Sequence, residues 1–157
     1  MRAKVNKLKE GFLRRGLTLT VAESMTGGAL SDIITSVPGA SEFFMGGMIS
    51  YSPKLKAMVG VPKATLKKYG AYSKEVAEKL AKGSKKRFGS DVAVGITGQA
   101  NPDKTHRAPG AFVAVTFNNT TFVKHIDCKV SLRRNEARRR VAMAAVDVLL
   151  EMLKTNY

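Results

Sequence analysis

Short apolar, β-prone runs alternate with amphipathic helical segments from one end of the chain to the other, and this alternation constrains the fold more than any other feature. Such alternation is typical of an α/β domain in which helices cover both faces of a sheet. The predicted strands are residues 17–22, 48–51, 92–97, 111–117 and 120–129. We therefore expect a single domain over residues 1–157, a three-layer α/β/α sandwich with a mixed, mostly parallel sheet of about five strands.

Capping residues define the ends of several predicted helices. The first apolar stripe ends at Gly16, which suits a helix C-terminus. Ser52 and Pro53 suit the cap and the first position of a helix that ends near Gly60, and Ser73 suits the cap of a helix that runs to about residue 88. Further helices are predicted at residues 26–36, 63–68 and 133–153, and an Asn-Asn pair between the last two strands predicts a hairpin turn.

The charge balance points to anionic partners. The chain carries 27 basic and 12 acidic residues, a net charge of +15. The basic residues fall into separate groups without an aromatic-interleaved nucleic-acid motif, so a solvated basic surface is favoured over a dedicated nucleic-acid site. The single cysteine, Cys128, argues against a disulfide framework and a cysteine-rich zinc site. Without a secretion signal or an apolar run of roughly 20 residues, a cytoplasmic protein with no membrane partner is expected.

Ligands in open α/β sheets bind at the carboxyl ends of strands, and three strand ends stand out here. At the first, Glu23 ends a β-prone run, Ser24 follows it, and Thr26, Gly27 and Gly28 lead into the next helix. Ser24 is a candidate nucleophile whose developing oxyanion would meet backbone amides of the turn. The alternative is that Ser24 or Thr26 caps the helix while the glycines permit close packing. Taken alone, these residues favour that structural role.

At the second strand end, Tyr51 precedes a helix in which Lys56 lies one turn from the start. A hydroxyl nucleophile needs a base, and the two histidines, His106 and His125, belong to no obvious triad. A lysine can take that role when burial or neighbouring positive charge lowers its pKa. The alternative is a solvated surface lysine, which is what most lysines are.

The third strand end carries Thr97 and Gly98 and leads through a long loop to Gly110. Glycines permit close backbone approach, and such a loop is either a surface connection or a binding loop. Farther along, five arginines crowd the start of the last helix, where positive charge opposes the helix dipole. Arg134 and Arg138 are four residues apart on one helix face, so together they can clamp a phosphate or a carboxylate.

Taken together, these blocks resemble one known family. Residues 22–28 read A-E-S-M-T-G-G, residues 51–56 read Y-S-P-K-L-K, and residues 95–98 read G-I-T-G. In this order, the blocks resemble the C-terminal domain of the competence/damage-inducible protein CinA. This family also occurs as a stand-alone nicotinamide-nucleotide amidohydrolase, PncC. The resemblance covers nearly the whole chain, from the first helix to the last.

The resemblance implies an α/β/α domain that hydrolyses nicotinamide mononucleotide to nicotinic acid mononucleotide and ammonia, without a metal or another cofactor. By resemblance, Ser24 is the nucleophile, Lys56 its base and Tyr51 a supporting hydroxyl. The residues expected at the nucleotide substrate are Glu23, Thr26, Gly27, Gly28, Gly47, Thr97, Gly98, Arg134 and Arg138. A homo-oligomer, a dimer or higher, is also expected, because oligomers are common for domains of this size.

Two stretches depart from the family's pattern. The family has G-x-x-G-P-x-G-G after the third strand, whereas residues 98–104 read G-Q-A-N-P-D-K. The loss of glycines restricts the backbone and removes candidate amide contacts to a substrate. The family's G-D-R before the last helix reads Leu132-Arg133-Arg134 here. The alternative function is therefore a catalytically inactive or altered-specificity homologue that acts as a basic nucleotide- or nucleic-acid-binding protein.

Overall fold

The computed structural model describes residues 1–102 and 108–155, in which strands and helices alternate. The strands are β1 (Leu19–Glu23), β2 (Phe44–Ile49), β3 (Val92–Gln99), β4 (Gly110–Phe117) and β5 (Thr120–Asp127). The α-helices of the described residues are α1 (Arg2–Arg15), α2 (Ala29–Thr35), α3 (Pro53–Val59), α4 (Lys63–Tyr69), α5 (Lys74–Phe88) and α6 (Arg134–Lys154). A short 3₁₀ turn, Ala40–Glu42, precedes β2.

Four of the five described strands point the same way. In the sheet order β2-β1-β3-β4-β5, β1 pairs in parallel with β2 and β3, whereas β4 is antiparallel to β3 and β5. Helices α1, α2 and α6 pack on one face of the sheet, and α5 packs on the other with α3 and α4 against it. The predicted α/β/α sandwich with a mixed, mostly parallel sheet is confirmed.

Strand β1 lies at the centre of the packing because its side chains alternate between the two faces. Leu19 and Val21 belong to the core that includes α1, α2 and α6, whereas Ala22 belongs to the core that includes α3 and α5. Helix α1 buries one apolar stripe, made of Val5, Leu8 and Phe12. It ends where predicted, at Gly16, whose φ of 61° is left-handed.

Two elements, one helix and one strand, begin at other residues than predicted, and glycines account for both differences. Helix α2 begins at Ala29 rather than near residue 26, because Gly27 and Gly28 have positive φ values of 57° and 96° and cannot continue a right-handed helix. Strand β2 begins at Phe44. The prediction placed its start at residue 48 because glycines at 46 and 47 weaken the sequence signal for a strand. A Cβ at Gly47 would lie 2.5 Å from Ser31 Oγ, so glycine allows β2 to pack closely against α2.

The ends of the strands also differ from the prediction. Strand β2 ends at Ile49, because the next two residues turn toward α3. Strand β3 continues to Gln99, since β4 pairs with it as far as Gly110. Gly98, which was predicted to follow the strand, therefore lies inside it, as Thr97 does. Strand β5 ends at residue 127 and α6 begins at residue 134. Asp103, Lys104 and His106 lie outside the described residues.

Within residues 1–102 and 108–155, no helix is long and apolar enough to cross a membrane.

A pair of helical glycines provides a test of the packing. A Cβ at Gly83 in α5 would collide with the Val59 carbonyl oxygen, which is rigid backbone. A Cβ at Gly11 in α1 would instead lie 2.7 Å from Leu153 Cδ1, the end of a flexible side chain. We expect Gly83→Ala to lower the free energy of unfolding by about 2 kcal/mol, although alanine is the better helix former.

Gly11→Ala is the matched control, and its free energy of unfolding should stay within about 1 kcal/mol of wild type. Denaturant titration of the three proteins measures both values. Equal effects of the two substitutions would contradict the close contact between α5 and the end of α3.

Candidate active site

The structure brings two of the predicted site residues into direct contact at the carboxyl edge of the sheet. Ser24 follows β1, and Lys56 lies in α3, which begins shortly after β2. Lys56 Nζ lies 2.8 Å from Ser24 Oγ, and the two residues are only 2% and 7% exposed. Lys56 is therefore a buried partner of Ser24 and not the solvated lysine of the alternative interpretation.

The helix start places Lys56 for this contact. The Ser52 hydroxyl accepts a hydrogen bond from the Leu55 amide at 3.2 Å, and Pro53 occupies the first turn, as predicted. The end of β2 is tied to the end of β1, because the Ser50 amide donates to the Glu23 carbonyl at 2.7 Å. Lys56 thus extends from a fixed helix toward two joined strand ends.

Backbone carbonyls complete the environment of the Lys56 amine. Nζ donates to the Ser50 carbonyl at 2.7 Å and to the Tyr51 carbonyl at 3.2 Å. Burial lowers the pKa of Lys56 from 10.5 to about 8. In the neutral amine, two N–H groups serve the two carbonyls, and the lone pair is left to accept a hydrogen bond from the Ser24 hydroxyl. This geometry fits a base for Ser24.

Glu23 fixes the start of α2 from inside the protein. Its carboxylate is fully buried and accepts hydrogen bonds from the amides of Gly28 (3.1 Å), Leu30 (3.1 Å) and Ser31 (2.9 Å). The Ser31 hydroxyl adds a fourth hydrogen bond at 2.7 Å. The carboxylate therefore stabilises the helix start, which is an electrostatically favourable place for an anion.

Arg138 holds the turn after Ser24 from the side of α6. Its Nε and Nη2 donate to the Thr26 carbonyl at 3.1 and 2.9 Å, and Nη2 also donates to the Gly27 carbonyl at 3.2 Å. A Cβ at Gly27 would lie 2.9 Å from Arg138 Nη2, so glycine allows this approach. The Thr26 hydroxyl is buried without a hydrogen-bond partner among the described residues.

Arg134 lies at the exposed rim of the site. Its Nη2 donates to the Tyr51 hydroxyl at 2.8 Å and its Nη1 to Asn101 Oδ1 at 3.1 Å. Tyr51 is 57% exposed, so its carbonyl contacts Lys56 while its hydroxyl faces the rim. A pocket of about 340 Å³ opens beside the turn, lined by Gly27, Gly28, Ala29, Asp32, Asn135, Arg138 and Arg139.

Strand β3 extends past the last residue with which it pairs with β1. Pairing between β1 and β3 stops at Gly95, whereas pairing between β3 and β4 continues to Gln99. Because alternate amides of a strand point to opposite edges, some amides between these two residues face the side on which Ser24 leaves β1. Thr97 is buried and donates from Oγ1 to the Ala71 carbonyl at 2.6 Å.

Sequence reasoning missed three features of this region. The contacts of Lys56 with the Ser50 and Tyr51 carbonyls involve backbone groups, which residue identity does not reveal. The contacts of Arg138 with the turn depend on tertiary packing, which a local sequence pattern does not contain. His125 lies beside Tyr72 and Asp127: its Nε2 is 2.8 Å from the Tyr72 hydroxyl and its Nδ1 is 3.2 Å from Asp127 Oδ1. Among the described residues, no three metal-ligating side chains are grouped to hold an ion.

Comparison with known proteins gives one consistent family. Residues 2–153 match the family model described as the CinA C-terminal domain. A CinA-like protein of Thermotoga maritima is 42% identical over 155 residues, which cover 94% of this chain and 38% of the relative. A competence-damage inducible protein of Bacillus subtilis is 37% identical over 153 residues, which cover 96% and 36%. The chain thus spans little more than a third of these relatives.

Solved structures share the fold. The competence damage-inducible protein A of Klebsiella pneumoniae superposes with a TM-score of 0.93 at 23% identity, over 99% of this chain and 98% of the other. The competence/damage inducible protein CihA of Agrobacterium tumefaciens gives 0.89 at 26% identity, over 98% and 94%. At 23% identity, the Klebsiella structure establishes similarity of fold alone.

The lowered pKa of Lys56 predicts a pH-dependent stability. The folded protein releases this proton near pH 8, whereas the unfolded chain holds it until about 10.5, so the unfolded state binds more protons in that window. The free energy of unfolding should therefore rise with pH there. From about pH 7.5 to about pH 9.5, we expect wild type to gain about 2 kcal/mol relative to Lys56→Met.

Chemical denaturation at each pH measures the difference. Lys54→Met is the matched control, because Lys54 is an exposed lysine of the same helix, and it should keep the wild-type pH dependence. Parallel pH curves for wild type and Lys56→Met would show that the amine titrates normally.

Proposed function

The chain belongs to the CinA C-terminal domain family, and on this premise we propose that it is an amidohydrolase that converts nicotinamide mononucleotide to nicotinic acid mononucleotide and ammonia. The contact that carries this proposal is the buried pair of Ser24 Oγ and Lys56 Nζ, 2.8 Å apart. The names of the relatives specify no substrate, so the reaction rests on this pair and on the resemblance of the surrounding residues.

The first step forms an ester between Ser24 and the substrate. Ser24 Oγ attacks the carboxamide carbon while its proton moves to the neutral Lys56 amine. The tetrahedral intermediate collapses as the C–N bond breaks, and Lys56 gives the proton to the departing nitrogen, which leaves as ammonia. The substrate's acyl group then remains on Ser24, and Lys56 is again neutral.

The second step returns the enzyme to its starting state. A water molecule attacks the ester carbon and gives a proton to the Lys56 amine. The ester C–O bond then breaks, Lys56 protonates the Ser24 oxygen, and the carboxylic acid product gives its remaining proton to solvent and leaves as a carboxylate. Serine and lysine supply the nucleophile and the proton transfers, so these steps include no metal or redox cofactor.

The backbone offers candidate donors for the oxyanion of both intermediates. The Gly27 amide donates to the Ser24 carbonyl at 3.0 Å, so it is already used within the turn. The amides of β3 beyond Gly95, near Thr97 and Gly98, are better candidates because β1 does not pair with that stretch. Donors fixed in a strand stabilise developing charge without reorganisation.

The two predicted arginines have different surroundings, which supports different roles. Arg138 is bound to the carbonyls of Thr26 and Gly27, and we assign it the positioning of the turn. Arg134 binds two neutral groups at the rim, the Tyr51 hydroxyl and the Asn101 amide oxygen. Its charge is not paired with a carboxylate of the described residues, and we assign it the 5′-phosphate.

Arg134→Ala should raise the KM for nicotinamide mononucleotide by about tenfold or more, because a charge-assisted contact to phosphate is lost. With nicotinamide riboside, which lacks the phosphate, wild type and Arg134→Ala should have similar kcat/KM. Arg138→Ala should instead lower kcat on both substrates, because the nucleophile's turn loosens. An equal penalty of Arg134→Ala on both substrates would reject the phosphate assignment.

Ser24→Ala and Lys56→Met should each reduce ammonia release from nicotinamide mononucleotide by about 1,000-fold or more, because each removes a group that reacts in both steps. Ammonia and nicotinic acid mononucleotide are measured together, so that hydrolysis of another bond is recognised. Ser41→Ala and Lys54→Met are the matched controls, since both residues are exposed, and should retain activity.

Full activity of Ser24→Ala or of Lys56→Met would remove that residue from the mechanism. A folded wild-type protein without turnover would overturn the proposed reaction and favour the binding role. In that case, nucleic-acid binding would be tested by its steep loss with salt.

A further inference from the structure

Positive charge is concentrated on one side of the sheet. Between residues 43 and 90 the sequence has 11 basic and only two acidic residues, so this stretch carries +9 of the net charge of +15. Its helices α3, α4 and α5 form one layer, since α3 and α4 both pack against α5. Two basic groups that are separate in the sequence, at residues 54–68 and 74–87, therefore share one face of the molecule.

The exposed lysines of α5 form one stripe. Lys79, Lys82 and Lys86 follow one another at intervals of three and four residues, so they lie on the same face of the helix. Within the described part of the chain, none of them has a carboxylate at ion-pair distance. Cations in the last turn of a helix offset its dipole, but Lys79 and Lys82 lie farther from the end. The dipole therefore does not account for the stripe.

Ion pairs offset part of the charge on the opposite side of the sheet. There, Lys4 of α1 pairs with Asp147 of α6 at 2.7 Å. In the layer of α3, α4 and α5, the described residues form one such pair, Lys74–Glu78 at 3.9 Å in the first turns of α5. The lysines farther along α5 are thus left for an external anion.

The turn between β4 and β5 completes a cavity at the end of the lysine stripe. The cavity measures about 300 Å³, and its lining is rich in hydrogen-bond donors and free of carboxylates: Lys82, Lys85, Lys86, Thr116, Asn118 and Asn119. Lys85 Nζ is held there by the carbonyls of Ser90 at 3.3 Å and Asp91 at 2.9 Å. Lysine and asparagine side chains are common donors to phosphate oxygens, so this lining suits a phosphate group.

This cavity and the Ser24–Lys56 pair lie at opposite ends of the strands. β3 begins at Val92 beside the β4–β5 turn, because Val92 pairs with Phe117, and it ends at Gln99 near the site. A strand of this length spans roughly 25 Å. A ligand in the cavity therefore does not occupy the catalytic site.

We propose that this surface binds the phosphate backbone of a duplex nucleic acid without regard to base sequence. The cationic face, as we call it, consists of Lys79, Lys82, Lys85 and Lys86 with the turn at residues 118–119. Its stripe from Lys79 to Lys86 spans roughly 10 Å of helix. A duplex carries one charge per about 1.7 Å of its axis, so several phosphates lie within reach. Contacts to the backbone carry no base information.

The composition of the cationic face favours a duplex over other polyanions. Proteins that bind single strands stack the bases on aromatic side chains. Helices that bind anionic membranes present apolar side chains beside their cations. Every exposed residue between positions 79 and 86 is a lysine, and the turn at residues 118–119 is Asn-Asn. The face thus offers contacts to phosphates and none to bases or acyl chains.

Fluorescence anisotropy with two labelled duplexes of unrelated sequence, each of ~20 base pairs, tests the proposal. At ~0.05 M salt we expect micromolar affinity, equal for the two sequences. The logarithm of the association constant should fall with the logarithm of salt concentration with a slope of about −3, because three or four lysines replace counterions. Absence of binding at ~0.05 M salt, or a tenfold preference for one sequence, would overturn the proposal.

Charge reversal locates the binding surface. The double variant Lys82→Glu/Lys86→Glu should weaken duplex binding by about tenfold or more and make the salt slope shallower by about 2. Lys7→Glu/Arg14→Glu is the matched control, because both residues are exposed on α1 and the net charge changes equally. At ~0.15 M salt, where distant charges are screened, the control should stay within about threefold of wild type. Equal losses in folded variants, checked by thermal unfolding, would mean attraction to net charge alone and overturn the proposal.

Competitors identify the ligand and separate this surface from the catalytic site. Nicotinamide mononucleotide at ~1 mM, the upper end of ordinary KM values, should leave the bound duplex in place. Displacement would place the duplex at Ser24 and overturn the proposal. Tighter binding of a single strand of equal length would overturn it too, as would binding to phosphatidylcholine vesicles with ~30% phosphatidylserine but not to the duplex. None of these measurements requires turnover, so they stand apart from the proposed reaction.

Discussion

The burial of the Lys56 amine is the constraint on which the rest of the site depends. Burial disfavours the charged amine, and Nζ then needs polar partners other than water. Those partners are the carbonyls of Ser50 and Tyr51 and the hydroxyl of Ser24. They follow two adjacent parallel strands, β2 and β1, so the sheet order itself brings them to one helix. A different strand order would leave the lysine buried without partners.

Opposite charges hold the turn between β1 and α2 from two sides. The Glu23 carboxylate accepts hydrogen bonds from amides at the start of α2, whereas the Arg138 guanidinium donates hydrogen bonds to the carbonyls of Thr26 and Gly27. Backbone amides and carbonyls of this segment are thus bound by side chains from different elements. Such support keeps Ser24 in place before any ligand arrives, which is the condition for electrostatic preorganisation.

Local signals predicted the elements and the place of Lys56, but not its burial. Ser52 and Pro53 fix the helix start by cap chemistry, which a sequence shows directly. The pKa of Lys56 depends on segments distant in sequence packing over its amine, which a local pattern does not contain. The glycines of β2 hid that part of the strand from the sequence prediction, because glycine has a poor strand propensity. In the structure, close packing against Ser31 outweighs that poor propensity.

The departures from the family's pattern act on the rim and not on the Ser24–Lys56 pair. Asn101 lies in the altered loop, and its contact in the site is with Arg134, which also holds the Tyr51 hydroxyl. Leu132 and Arg133 replace the family's glycine and aspartate directly before Arg134. Both changes therefore converge on one guanidinium, while the partners of Lys56 come from outside these stretches. A changed substrate preference would arise through the placement of Arg134, because that side chain links both altered segments to the site.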